Sequence, residues 1–127
     1  MKFVSADLAQ YYVRRGGIFV LGRSLGGAVA ATAIADMEQD SSYYDIDGVI
    51  LENTFTSIED LVDDRFGILA YFKSLILTNY WNVLEKVPQI KLPIHYVGGR
   101  RDEIVPYHHT ETLLSASISS RWIIILD

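Results

Sequence analysis

Cysteine is absent from the 127-residue chain, which removes disulfides and thiolate metal sites without identifying a compartment. Basic clusters are nearly absent too. The longest are Arg14-Arg15 and Arg100-Arg101 in a chain of net charge −5, which argues against nucleic acid as the main partner. No uninterrupted apolar run approaches the roughly 18 to 20 residues needed to span a bilayer. Met1-Lys2-Phe3-Val4-Ser5-Ala6-Asp7 lacks the apolar core of a signal peptide. As it stands the chain reads as soluble, with no compartment assigned. Internal repeats and low-complexity tracts are missing as well. What is present is one ordinary domain's length with half its residues apolar, enough for a core.

Taken in order, Phe3 to Val13 carries apolar residues near helical spacing, with Ser5 as a cap and Arg14-Arg15-Gly16 at its end. Gly17 to Leu21 reads as a first strand, and Leu25 to Met37 as a small-residue helix. A polar loop follows from Glu38 to Asp45. Gly48-Val49-Ile50-Leu51-Glu52 is a second strand, apolar throughout as when both faces are buried. A helix opens at Ser57-Ile58-Glu59-Asp60, capped by Thr56 or Ser57. Gly67 to Trp81 is aromatic-rich and has Lys73 as its one charge; periodicity leaves a core helix and a lid over a pocket (within 67–85) equally open. Leu92 to Gly99 is a third strand, with Pro93 where no ladder donor is needed. Tyr107 to Ser115 is a helix and Arg121 to Leu126 a fourth strand. This alternation predicts an α/β fold: a mostly parallel sheet of about four strands with flanking helices and right-handed crossovers.

The most informative stretch is Gly17-Ile18-Phe19-Val20-Leu21-Gly22-Arg23-Ser24-Leu25-Gly26-Gly27-Ala28. A β-branched and aromatic run ends in Gly-x-Ser-x-Gly-Gly, and a helical pattern starts at once. Strand, sharp turn and helix in that order form a nucleophile elbow. The serine then takes a strained left-handed backbone, and Gly22 and Gly26 are expected to give the turn its room. Ser24 becomes the candidate nucleophile, and the Leu25 amide, at the helix N-terminus, the candidate oxyanion donor. A glycine-rich turn is the plain alternative. Nucleotide binding is disfavoured, because the motif is not Gly-x-Gly-x-x-Gly and has no phosphate-loop lysine.

A serine hydroxyl needs a base beside it and an acid to orient that base. In chain order the acid follows the serine and the histidine comes last, each on a loop after a strand. Asp102, in Gly98-Gly99-Arg100-Arg101-Asp102-Glu103-Ile104-Val105-Pro106, is the candidate acid; Glu103 is the adjacent alternative. Glu52 reads as a structural acid bonding backbone or loop groups. His95 falls inside the third strand and reads as a packed core residue. His108 and His109 share the Asp102 loop and so are expected beside it, not between it and Ser24.

Gly22-Arg23-Ser24-Leu25-Gly26-Gly27-Ala28-Val29-Ala30, Glu52-Asn53-Thr54-Phe55-Thr56-Ser57-Ile58 and Asp102-Glu103-Ile104-Val105-Pro106 together resemble the α/β-hydrolase superfamily. They are most similar to the branch containing alpha/beta hydrolase domain-containing protein 13. The resemblance implies a serine hydrolase of ester, thioester or amide bonds, with Ser24 as nucleophile and Asp102 as triad acid. It implies no metal or organic cofactor, and a small-molecule or acylated substrate it does not identify. It also implies that the chain is the C-terminal half of the fold, a single partial domain over 1–127, without the first strands, the second oxyanion loop and the histidine loop. A membrane anchor on the full-length parent is compatible with relatives of this branch. Two expectations follow: one face of the sheet lacks its helices and leaves an apolar patch prone to self-association, and the chain alone is nearly inactive. The competing reading is a non-catalytic interaction module in which the elbow is a relic.

Overall fold

Four apolar runs pair side by side because each can bury one face against helices and satisfy its backbone in the ladder. In the computed structural model, which describes residues 17–40, 46–64, 81–119 and 122–127, they are β1 (Ile18–Arg23), β2 (Ile46–Glu52), β3 (Ile94–Gly99) and β4 (Trp122–Leu126). The sheet order is β1-β2-β3-β4 and every pairing is parallel. The connections carry α1 (Leu25–Asp40), α2 (Ile58–Asp64), the short α3 (Val83–Lys86) with a 3-10 turn at Val87–Gln89, and α4 (Tyr107–Ala116). The expected helix at Phe3 to Val13 and the aromatic stretch from Gly67 as far as Tyr80 lie outside the described residues.

Strands that proceed in sequence order across a parallel sheet, each crossing over in the right-handed sense, put their helices on one face. Burial follows that rule. Val49, Leu51, Ile94 and Tyr96 point inward against Ala28, Ala31, Ile34 and Ala35 of α1, with Val83, Val87, Ile90 and Leu113 completing the core. Alanine-rich α1 allows close approach to the strands, so few atoms are needed to fill the gap. Tyr96 spans the layer, its hydroxyl 3.3 Å from the Leu113 carbonyl and 2.5 Å from Ser117 Oγ. Burial pushes that hydroxyl up to about 12.

The other face carries Phe19, Leu21, Trp122 and Ile124, of which Leu21 is 63% and Trp122 65% exposed. Among the described residues no element covers it, and β1 pairs only with β2. His95 belongs to this face. Its register partners are Ile50 and Trp122, and it is half-buried. The expectation of a core histidine is therefore corrected: the alternation of β3 buries Ile94 and Tyr96 and turns residue 95 outward.

Two element boundaries differ from the sequence reading for tertiary reasons. Glu38 to Asp40 continues α1 instead of opening a loop. Glu38 Oε1 accepts the Lys91 amide at 2.8 Å, and Gln39 bonds Gln89 at 2.6 Å. One turn earlier, Asp36 pairs with Lys86 at 2.8 Å. The segment Val83–Gln89, whose first residues end the 67–85 stretch left open as helix or lid, is started by Asn82, whose Oδ1 accepts the Glu85 amide at 3.2 Å.

Candidate active site

At the C-terminal end of β1 the chain turns straight into α1, and Ser24 occupies the corner at φ +50°. A non-glycine residue there is uncommon and costs about 1 to 2 kcal/mol. The corner is held to the next strand by a 2.8 Å bond from the Ser24 amide to the Glu52 carbonyl. The Ser24 carbonyl in turn accepts the Gly27 and Ala28 amides, at 3.0 and 3.3 Å, as α1 begins. Ser24 is half-exposed, and its hydroxyl has no hydrogen-bond partner among the described residues. Leu25 is the first helical residue, so its N–H is one of the donors an α-helix leaves free.

The corner needs two glycines, and one of them is not the one expected. A Cβ on Gly22 would come within 2.4 Å of the Gly26 carbonyl oxygen. At Gly26 a Cβ would meet nothing within 4 Å, whereas at Gly27 it would lie 1.9 Å from Thr54 Oγ1. The expectation that Gly26 gives the turn its room is thus corrected to Gly27. The reason is that α1 presses this residue, not its predecessor, onto the loop after β2.

That loop contains a residue the sequence reading passed over. Asn53 stands at φ +44°, donates its amide to the Val97 carbonyl at 2.8 Å and accepts the Gly99 amide on Oδ1, also at 2.8 Å. It ties the end of β2 to the end of β3. Asparagine tolerates the left-handed region because its short side chain bonds locally. The only available signal was an asparagine directly after an apolar strand.

Asp102 lies three residues past β3 and is half-buried. Its Oδ1 accepts the Ile104 amide at 2.7 Å and the Val105 amide at 2.9 Å. In parallel strands Ser24 and Asp102 therefore stand on the same rim with β2 between their strands, roughly 10 Å across two strand spacings. Glu103, the alternative acid, is exposed. Glu52 is expected to bond backbone or loop groups; among the described residues its Oε1 instead sits 3.5 Å from Nε of Arg23, its register neighbour on β1.

The histidines go elsewhere. His109 is completely buried, and its Nδ1 lies 2.9 Å from Thr56 Oγ1 and 3.2 Å from the Thr56 amide. Thr56 Oγ1 in turn donates to Asp60 Oδ2 at 2.5 Å. Asp64 Oδ2 lies 2.8 Å from His108 Nε2 and 3.0 Å from His109 Nε2. The two rings stack with centroids 4.5 Å apart. Desolvation, then the charge of His108, holds His109 below the usual imidazole range; the Thr56 bond holds Asp60 below the usual carboxylate range. Thr56, Asp60, Asp64 and His108 line a groove of about 360 Å³ with Asp63, Leu84 and Thr112, and His109 lies buried behind it.

With this geometry in view, similarity to known structures defines the fold. The chain superposes on a carboxylesterase from Lactobacillus plantarum with a TM-score of 0.71 at 17% identity, over 98% of this chain and 50% of that one. It matches a Pyrococcus horikoshii acylaminoacyl peptidase at 0.68 and 21%, over 99% of this chain and 21% of that one. The fold is that of the α/β-hydrolases. Sequence comparison narrows the kinship. The chain is 37% identical over 107 residues to Alpha/beta hydrolase domain-containing protein WAV2 of Arabidopsis thaliana, covering 76% of this chain and 33% of that protein. To Protein bem46 of Schizosaccharomyces pombe it is 41% identical over 90 residues, 70% of this chain and 28% of that protein. A third relative, 38% identical over 105 residues, is Uncharacterized membrane protein YNL320W of Saccharomyces cerevisiae, at 81% of this chain and 35% of that protein. The chain thus spans about a third of the length of the curated relatives it matches. No family model matches it. Among the described residues no helix is long and apolar enough to cross a membrane.

Proposed function

We propose that this chain carries the nucleophile and the triad acid of a serine hydrolase acting on ester, thioester or amide bonds. The observation that carries the reading is Ser24 at φ +50° in a strand-to-helix corner at the end of a parallel sheet, its hydroxyl without a hydrogen-bond partner among the described residues. Ser24 Oγ attacks the substrate carbonyl carbon while an imidazole takes its proton. The tetrahedral oxyanion is held by the Leu25 amide. Collapse expels the alcohol, thiol or amine with that proton and leaves an acyl-serine, which water hydrolyses by the reverse proton path. Asp102 orients the imidazole through the carboxylate capacity that the Ile104 and Val105 amides leave unused.

None of the chain's three histidines supplies that imidazole. His95 lies mid-strand on the outer face, and His108 and His109 are engaged by Asp64 and Thr56. The 127-residue chain alone is therefore expected to be nearly inactive, since loss of one triad member leaves only about 10³–10⁴-fold catalysis over water. A fluorophosphonate probe tests both parts. Slow labelling confined to Ser24 and absent from Ser24→Ala is the expected result. Rapid labelling would contradict the missing base, and labelling at another residue would refute Ser24 as nucleophile.

A second reading, an interaction module, draws on the exposed outer face with Phe19, Leu21, Trp122 and Ile124. Contiguous exposed apolar patches of several hundred Å² commonly mark interaction surfaces. Sedimentation velocity is expected to show self-association of the chain, reduced in the Leu21→Lys/Ile124→Lys variant. A native chain that stays monomeric at 100-fold dilution steps up to millimolar would remove this face from the argument.

A further inference from the structure

Outside the serine rim, the densest group of chemistry-bearing side chains is the histidine groove. Asp64 closes α2, while His108 and His109 open α4, so successive crossovers deliver an oxygen and two imidazole nitrogens to one place. These three ligand atoms all lie within 4.8 Å of one another. His109 Nε2 is the telling atom. It lies 3.0 Å from Asp64 Oδ2 yet out of line for a hydrogen bond, so a fully buried nitrogen points into the cluster without a hydrogen-bond partner among the described residues. Buried polar atoms in that condition are rare and call for an explanation.

We propose that Asp64, His108 and His109 form a site for a divalent transition-metal ion of the zinc type. Two imidazoles and one carboxylate are the donor set such an ion favours, whereas calcium and magnesium prefer oxygen throughout. Tetrahedral ligation at about 2.0–2.1 Å separates ligand atoms by roughly 3.3 Å. The Asp64 contacts of 2.8 and 3.0 Å need open by only a few tenths of an ångström. Asp64 and His108 also line the groove, where Asp60 and Asp63 add negative charge.

The surroundings of His109 fit the role. A metal-bound histidine needs its proton on the other nitrogen, with an acceptor to receive it. Thr56 offers Nδ1 both a donor, its amide, and an acceptor, Oγ1 at 2.9 Å. With the proton on Nδ1 and donated to Thr56 Oγ1, Nε2 is left to present its lone pair to the ion. Asp60 anchors that threonine hydroxyl from behind. The site is separate from the hydrolytic chemistry: an ion there would clip α2 to the start of α4, five residues beyond Asp102, and so stiffen the loop that holds the acid.

Titration calorimetry of the EDTA-stripped 127-residue chain with Zn²⁺ alone tests this. One ion per chain is expected, with affinity falling at least ten-fold in His108→Ala and in Asp64→Asn. Both positions are partly exposed (side chains 57% and 34%), and circular dichroism checks that these variants fold. Thr56→Val removes the outer acceptor and is expected to cost 10–100-fold in affinity. His95→Ala and Ser24→Ala should bind as the native chain does. Cobalt substitution is expected to give the visible absorption of a four-coordinate ion. No binding by the native chain, undiminished binding by folded His108→Ala or Asp64→Asn, or a loss caused by His95→Ala would each overturn the proposal.

Discussion

The serine corner and the aspartate loop occupy one rim of the sheet, yet they are held in place by opposite means. The corner is fixed by what is missing. Gly22 and Gly27 have no side chain, the neighbouring backbone and Thr54 fill the space that a Cβ would need, and Ser24 is left in a conformation it would not choose. The loop is fixed by what is bonded. Asp102 Oδ1 gathers two amides, and Asn53 Oδ1 takes the Gly99 amide across from β2. A residue shaped by steric exclusion can bond through its backbone alone, as Ser24 does, and leave its side-chain oxygen available. A residue held by hydrogen bonds gives up part of its bonding capacity, which a carboxylate with several lone pairs can spare.

This contrast breaks most visibly at position 27. Gly27→Ala places a methyl 1.9 Å from Thr54 Oγ1, and Thr54 is itself buried. Overpacking of this kind costs about 3 kcal/mol at the upper end of its usual range, a large part of a small domain's stability. Gly26→Ala is the matched control. It meets nothing within 4 Å and lies in the first turn of α1, where alanine gains up to about 1 kcal/mol over glycine. Urea unfolding of the two variants should give shifts of opposite sign. Equal losses would mean that the corner is not held by steric exclusion.

These positions also show how far the sequence could be read. Apolar runs bounded by turn residues made all four strands legible, and the Gly-x-Ser-x-Gly order located the corner. Which glycine mattered was not legible, because the atom it must avoid belongs to Thr54, on a loop in the next crossover. Glu38 to Asp40 looked like a loop because its polar residues are stabilised by partners about fifty positions away. The same blindness hid the histidine groove. Asp63-Asp64 and His108-His109 are ordinary surface pairs in sequence, and only the crossovers on one face of the sheet bring them together. Local pattern thus reports strands and turns well, whereas a contact between two loops leaves no periodic trace in either.

The loop side of the contrast sharpens at Asn53, with a smaller effect. Asn53→Ala removes the acceptor of the Gly99 amide and also leaves a residue with a Cβ, but no bonding side chain, at φ +44°. About 2 kcal/mol of stability should be lost, combining an unsatisfied backbone donor with the left-handed penalty. Asn53→Gly separates the two contributions, since glycine takes that conformation freely; it should cost about 1 kcal/mol, for the lost bond alone. Hydrogen exchange read at Gly99 is the decisive measurement. Faster exchange there in both variants, with the alanine variant less stable overall, is what a bond-held loop predicts. If Gly99 stays protected in both, the end of β3 is secured by its ladder and Asn53 contributes only its turn, leaving Asp102's own two amide bonds to position its carboxylate.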